Sequence, residues 1–180
     1  MRSFLLSFWE ILKIFIIATI IVIPIRYFLF QPFFVKGQSM EPNFENGDYL
    51  IIDELSYRLG DPKRGEVVVF KYPNDISQRY IKRIIGLPGE TVEVKDGNVI
   101  ITDDKGEWVL EESVYLPGIM TPGDVKVTLN EGEYFVLGDN RASSSDSRRW
   151  GVLPRKDIIG KVAVRAWPFT TFAKIESPNY

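Results

Sequence analysis

The apolar and polar positions of this chain change pattern near residue 35. From Phe4 to Val35 the sequence is dominated by Leu, Ile, Phe and Val. Its charge-free stretch, Ile14 to Ile25, is only 12 residues, where a spanning helix needs about 20. Lys13 and Arg26 flank that stretch, and both can extend an amine or guanidinium toward water while burying their stems. Phe8 and Trp9 lengthen it on one side and Tyr27 to Phe30 on the other. The pattern therefore predicts a membrane-spanning helix over about residues 8–30. Pro24 is expected to kink or end it. A cleavable leader would end in a small-x-small site, whereas Phe33, Phe34, Val35 and Lys36 are bulky, so a retained anchor is the better reading. A helix lying in the interface needs a polar face that this run lacks.

Beyond Val35 the pattern predicts β structure. Tyr49–Ile52 and Val67–Phe70 are short apolar runs, and Thr91–Val94 alternates before the turn signal Asp96-Gly97. Asn98–Ile101, Tyr134–Leu137 and Lys161–Trp167 read as further strands, punctuated by Gly60-Asp61-Pro62, Pro88-Gly89 and Pro122-Gly123. The expected fold is mostly β: an N-terminal transmembrane helix (1–34), then an antiparallel, barrel-like catalytic domain (35–92 and 134–180). Residues 93–133, acidic and poor in strongly apolar side chains, are expected to form a small inserted β lobe.

Composition narrows the chemistry. The 180 residues include no Cys and no His. Disulfides and thiolate nucleophiles are excluded, and only oxygen ligands remain for metals, which disfavours zinc and copper. Before residue 35 the charges are Arg2, Lys13, Arg26 and Glu10; the rest holds 19 basic and 23 acidic residues. That balance argues against nucleic acid as a partner.

Without imidazole, a nucleophilic serine needs another base, and lysine is the available one. Ser39, in Gly37-Gln38-Ser39-Met40-Glu41-Pro42, follows the apolar segment by a few residues. Taken alone it is an ordinary turn serine. The apolar Phe33, Phe34, Val35 and Met40 around it are expected to be exposed, in a groove or against lipid. Lys82 sits in Tyr80-Ile81-Lys82-Arg83-Ile84-Ile85-Gly86. On period-two alternation Tyr80, Lys82 and Ile84 share one face. Lys82 is then either a protective charge on an edge strand or an amine held in an apolar site, where burial lowers its pKa. A third string, Leu137 to Gly151, is dense in Gly, Asp, Asn, Ser and Arg. It reads as a polar turn or as a hydrogen-bond network supporting a site.

Taken in order, Gly37 to Pro42, Tyr80 to Glu90, and Gly138-Asp139-Asn140-Arg141 through Ser144-Ser145-Asp146-Ser147-Arg148 resemble bacterial type I signal peptidase of the single-anchor branch; Gly47-Asp48 fits too. The resemblance covers the chain to about Gly160. It implies a serine endopeptidase that removes signal peptides from exported preproteins, with Ser39 as nucleophile and Lys82 as general base. It further implies that Ser144 orients the lysine, that Asp146 and Arg148 form a structural ion pair, and that Arg83 and Arg141 join the same network. Val35, Met40, Tyr80 and Ile81 would lie along the substrate, in pockets for small side chains before the cut. No cofactor or metal is implied. The lipid bilayer would be a partner, with a single pass through the cell membrane, the N-terminus cytoplasmic and the catalytic domain on the outer face. Two positions depart from the family pattern: Gly37, where some members carry an oxyanion-hole serine, and Asn43, where Thr is common. A self-cleaving repressor with a Ser-Lys dyad would need a DNA-binding helical domain that the apolar N-terminus does not provide. A membrane-anchored binding module is the non-enzymatic alternative.

Overall fold

The computed structural model describes residues 8–20 and 30–178. Residues 8–20 are helical (α1). Thirteen residues rise about 20 Å, short of a bilayer's hydrocarbon core. Among the described residues no helix is long and apolar enough to cross a membrane. The rest of the expected span, 21–29, including Pro24, lies outside the described residues.

Strand structure begins at Phe30, earlier than the expected start after Val35. The strands are β1 (Phe30–Phe34), β2 (Tyr49–Asp53), β3 (Val67–Tyr72), β4 (Asp75–Gly86), β5 (Thr91–Lys95), β6 (Asn98–Asp103), β7 (Gly106–Val109), β8 (Val125–Thr128), β9 (Glu133–Leu137), β10 (Leu153–Pro154), β11 (Ile158–Trp167) and β12 (Ala173–Lys174). Two four-residue helices, α2 (Ser56–Leu59) and α3 (Ser147–Trp150), complete the main elements. Phe30 pairs with Asp53 across β1 and β2, so the last residue of the expected helix belongs instead to a strand.

Among the described residues all pairing is antiparallel, in two sheets. The larger runs β1-β2-β11-β3-β4-β9-β10, with β12 added to β11; the smaller runs β7-β6-β5-β8. The larger sheet corrects the barrel-like expectation, because its path is open: β1 and β10 end it and do not meet. Closure would need the β10 edge to pair again, and β10 is only two residues long and ends in Pro154, which has no N–H to donate.

Both faces of the large sheet are covered. Val67, Val69 and Ile81 pack on one side with Val35, Met40, Phe44 and Leu50. Val68, Phe70 and Ile84 pack on the other with Tyr134, Val136 and Leu153. This two-sided burial is why β3 reads as a continuous apolar run instead of an alternating one. A third cluster joins the sheets: Ile85, Phe135 and Leu137 meet Val92, Val94, Val99, Ile101, Leu110 and Leu129. The segment that looked poor in apolar side chains thus contributes several of the buried ones. Gly86 is where the two sheets touch, since a Cβ there would lie 2.3 Å from Val92 Cγ2 and 2.7 Å from Leu129 Cδ1.

Candidate active site

Ser39 lies in the connection between β1 and β2. Backbone bonds stitch that connection closed, Val35 N–H to Asp48 O and Gly47 N–H to Val35 O, both 2.9 Å. Gly37 has φ +88°, a left-handed conformation that disfavours any side chain, and its N–H donates to Asn46 Oδ1 at 2.9 Å. The turn carries Ser39 over the end of β9.

Lys82 lies on β4, between β3 and β9, and its burial rules out the protective edge-charge reading. β9 pairs with β4 only from Arg83 onward, because β9 ends at Leu137 and the chain turns away. Lys82 therefore sits where the strand's second edge opens. Its side chain is 3% exposed. Nζ donates to Ser39 Oγ at 2.7 Å and to Ile81 O at 2.7 Å, and lies 5.6 Å from the centre of the Tyr80 ring. Burial pushes the ammonium pKa down from its ordinary 10.5 to about 8, against the opposing pull of the Asp146 and Asp139 carboxylates.

The loop after β9 fixes the serine turn from below. Asn140 donates twice, from its backbone N–H to Ser39 O (3.1 Å) and from Nδ2 to Gln38 O (3.0 Å). Gly138 makes that approach possible: a Cβ there would stand 2.4 Å from Ser39 O and 2.2 Å from Ser144 Oγ. Ser144 Oγ is buried in this contact and has no hydrogen-bond partner among the described residues, so no bond joins it to Lys82 Nζ.

Two buried ion pairs brace the same loop. Arg148 grips Asp146 through Nε (2.8 Å) and Nη2 (2.7 Å), while Asp146 Oδ2 also accepts from Gly138 N–H at 3.0 Å. Burial alone would raise the Asp146 pKa, but the Arg148 bonds and charge hold it below the usual range. Arg83, next to Lys82, grips Asp139 through Nε (2.8 Å) and Nη2 (2.6 Å). Asn43 Nδ2 donates to Asp139 Oδ2 at 2.9 Å and to Tyr115 O at 3.1 Å, and Arg141 pairs with Glu112. The Asp139, Asn140, Asn43 and Glu112 contacts were not legible in sequence. Their residue types mark turns everywhere, and nothing local in a chain names a partner about 30 to 100 residues away.

An open groove of about 680 Å³ runs up to the Ser39–Lys82 contact. Phe33, Phe34 and Lys36 line one wall, Ser77 to Lys82 the other, and Ser145 its near end. Tyr80 and Ile81 thus lie along it. Val35 and Met40 do not, and both are core residues. The expected exposure of these two is corrected: the turn folds back over the sheet, so they pack inward against Phe44 and Leu50. β1 pairs only with β2, and β4 before Arg83 only with β3, so both walls offer an unpaired strand edge among the described residues. Among the described residues no group of three or more His, Cys, Asp or Glu could hold a metal ion.

Two antiparallel sheets thus bury a lysine amine against a serine hydroxyl beside an open groove. Comparison with known proteins gives the family. Residues 8–167 match the family described as signal peptidase, peptidase S26. A probable signal peptidase I-2 of Synechocystis sp. is 42% identical over 164 residues, 88% of this chain and 73% of that protein. A signal peptidase I of Bacillus licheniformis is 36% identical over 176 residues, 94% of each chain. A crystal structure of a signal peptidase I from Enterococcus faecalis V583 superposes with a TM-score of 0.49 and 34% identity, over 57% of this chain and 97% of that one. The chain belongs to the S26 signal peptidase family and is a serine peptidase.

Proposed function

We propose that this peptidase removes signal peptides from exported preproteins with Ser39 as nucleophile and Lys82 as general base. The observation that carries the reading is the 2.7 Å contact between Ser39 Oγ and a lysine amine almost wholly withdrawn from water. Neutral Lys82 takes the Ser39 proton as Oγ attacks the scissile carbonyl. The Ser39 N–H, which has no acceptor among the described residues, can donate to the developing oxyanion. Protonated Lys82 returns the proton to the departing amine of the mature protein. The signal peptide remains as an ester on Ser39, and Lys82 then activates the water that hydrolyses it.

The substrate enters as an extended strand between the unpaired edges of β1 and β4, where backbone pairing gives affinity and the side chains along Tyr80 and Ile81 give selectivity for small residues. Asp146, Arg148 and Arg83 hold the loop beneath the site, and Ser144 on the same loop is the hydroxyl that would orient the amine. The smaller sheet is the inserted lobe, and the apolar N-terminal segment is a membrane anchor, with the N-terminus cytoplasmic and the catalytic sheet outside. Anchoring keeps enzyme and membrane-bound substrate on one surface, raising effective concentration. No metal, cofactor or nucleic acid takes part.

The test is cleavage of a preprotein by the full chain in detergent micelles. Ser39→Ala and Lys82→Ala should each abolish product while retaining the native circular dichroism spectrum. Product from either variant at near the parental rate would remove that residue from its role.

A further inference from the structure

The serine turn, β4 and the loop after β9 each send a side chain into one segment outside them, the 110–124 connection from β7 to β8. Arg141, only 1% exposed, aims its guanidinium there: Nη1 and Nη2 both donate to the Glu112 carboxylate, Nη2 at 2.6 Å, and Nη1 also donates to Thr121 Oγ1. Arg83, beside Lys82, holds its Cζ 4.2 Å from the centre of the Tyr115 ring. Asn43, in the same connection as Ser39, donates from Nδ2 to Tyr115 O at 3.1 Å. The segment is itself fixed to the smaller sheet. Leu110 N–H donates to Val99 O and Thr121 N–H to Gly97 O, both at 2.8 Å. Between them Glu112 O accepts from Tyr115 N–H (3.1 Å) and Leu116 N–H (2.8 Å). That single turn sets Glu112 beside Tyr115, whose hydroxyl donates to Glu112 Oε1.

Both contacts lead to the serine. While Glu112 holds its fork, Arg141 donates from Nε to Gly138 O at 3.1 Å, and Gly138 is the residue packed against Ser39 O. A bidentate guanidinium–carboxylate pair fixes orientation as well as distance, so the Gly138 carbonyl is held at a set place. Arg83, under the Tyr115 ring, pairs with Asp139, and the next residue, Asn140, bonds to Ser39 O and Gln38 O. The face of a ring attracts a guanidinium, the more so away from water. Tyr115 therefore holds in place the Arg83 side chain to which the Asp139–Asn140 step is tied.

We infer that Glu112 and Tyr115 are positioning residues: acting through Arg141 and Arg83, they set the Ser39 turn against Lys82, so that a connection of the smaller sheet governs the rate of the chemical step. The inference rests on the Ser39–Lys82 reading. Neither residue lines the groove, so substrate affinity does not depend on them.

The test uses the full chain in detergent micelles and one preprotein, with kcat, KM and melting temperature measured for each variant well below its own melting temperature. Glu112→Gln, which can accept only one bond of the fork, should lower kcat about 10- to 100-fold with KM within about twofold, since a displacement of about an ångström costs about 100-fold. Tyr115→Leu should lower kcat about tenfold, and Tyr115→Phe, which keeps the ring over Arg83, should restore most of it. Glu111→Gln, whose carboxylate bonds to Ser113, is the neighbouring control and should match the parent. Stranding the buried Arg141 charge also costs stability, and Glu112→Leu/Arg141→Met separates that effect because it strands no charge. The double variant should be more stable than Glu112→Gln and no faster. Parental kcat in folded Glu112→Gln or Tyr115→Leu overturns the inference, as does a loss confined to KM, or a kcat that returns with stability in the double variant. Should Glu112→Gln not fold, the double variant and the two Tyr115 variants decide by the same criteria. Continued cleavage by Ser39→Ala would refute the catalytic reading, whereas its loss there beside parental kcat in Glu112→Gln and Tyr115→Leu would refute only the positioning role.

Discussion

Lys82 takes a proton less readily than an ordinary lysine because it is buried away from water, and under the proposed mechanism that single property ties activity to pH. With the amine pKa at about 8, the neutral base is a minority form at pH 7 and the dominant form above pH 9. Under the proposed mechanism kcat/KM should climb tenfold per pH unit on the acid side and level off through a midpoint near 8. The Asp146 carboxylate raises that midpoint, so Asp146→Asn should move it to lower pH; a pH–rate profile of both enzymes reads the shift. The same burial bears on stability. The folded amine titrates below its unfolded value of 10.5, so the cost is fully present below about pH 8 and is relieved as pH rises toward 10.5. Lys82→Met should therefore be more stable than the parent at pH 7, by roughly 3 kcal/mol on the pKa difference, with the gap closing between pH 8 and 10.5. Urea titrations of both proteins at pH 7 and pH 10 measure it.

At the scale of elements, the site is made where three segments converge: the β1–β2 turn, the opened edge of β4 and the loop after β9. Gly138 is the point of closest approach between two of them. In Gly138→Ala the new methyl would meet the Ser39 carbonyl oxygen at 2.4 Å and Ser144 Oγ at 2.2 Å. Backbone cannot yield there without moving Ser39, so activity should fall at least about 100-fold, in keeping with the cost of displacing a catalytic group by an ångström. Gly89→Ala is the comparison: its φ is also positive, +85°, but open space surrounds it, so it should lose stability without a comparable loss of kcat. Cleavage assays matched to melting temperatures separate the two. The Arg83–Asp139 pair adds a second constraint on the same loop. Removing one partner of so buried a pair generally costs about 3–5 kcal/mol, because the other charge is stranded.

Across the whole molecule, the two sheets share one apolar cluster, with Leu129 and Val92 meeting Ile85, Phe135 and Leu137. The smaller sheet should therefore not melt on its own. Trp108 reports on β7 and Trp150 on the packing around Phe70, and single-tryptophan versions retaining either one should give coincident unfolding curves. Leu129→Ala should shift both curves together by about 2–5 kcal/mol, the usual cost of truncating a buried leucine. Separate transitions would mean that the cluster is too weak to couple the sheets.

How much of this was readable in advance varied with the range of the interaction. Strands at Tyr49, Val67, Thr91, Asn98, Tyr134 and Lys161 follow from β-branched and aromatic runs between Gly and Pro punctuation, which are local signals. The absence of imidazole and thiol is a matter of counting, and it leaves lysine as the base a serine could use. The sequence therefore determined the element type, the available chemistry and the strings that mark the family. The tertiary structure decided the rest. It showed that Phe30 to Phe34 pair as a strand, that the large sheet stays open, that Met40 and Val35 face inward, and that Asn140 and Asp139 close on the serine turn. Each of these depends on which distant segment a residue meets, and the free energy of such a meeting lies in the shared burial and in bonds between two places on the chain, so neither place alone encodes it.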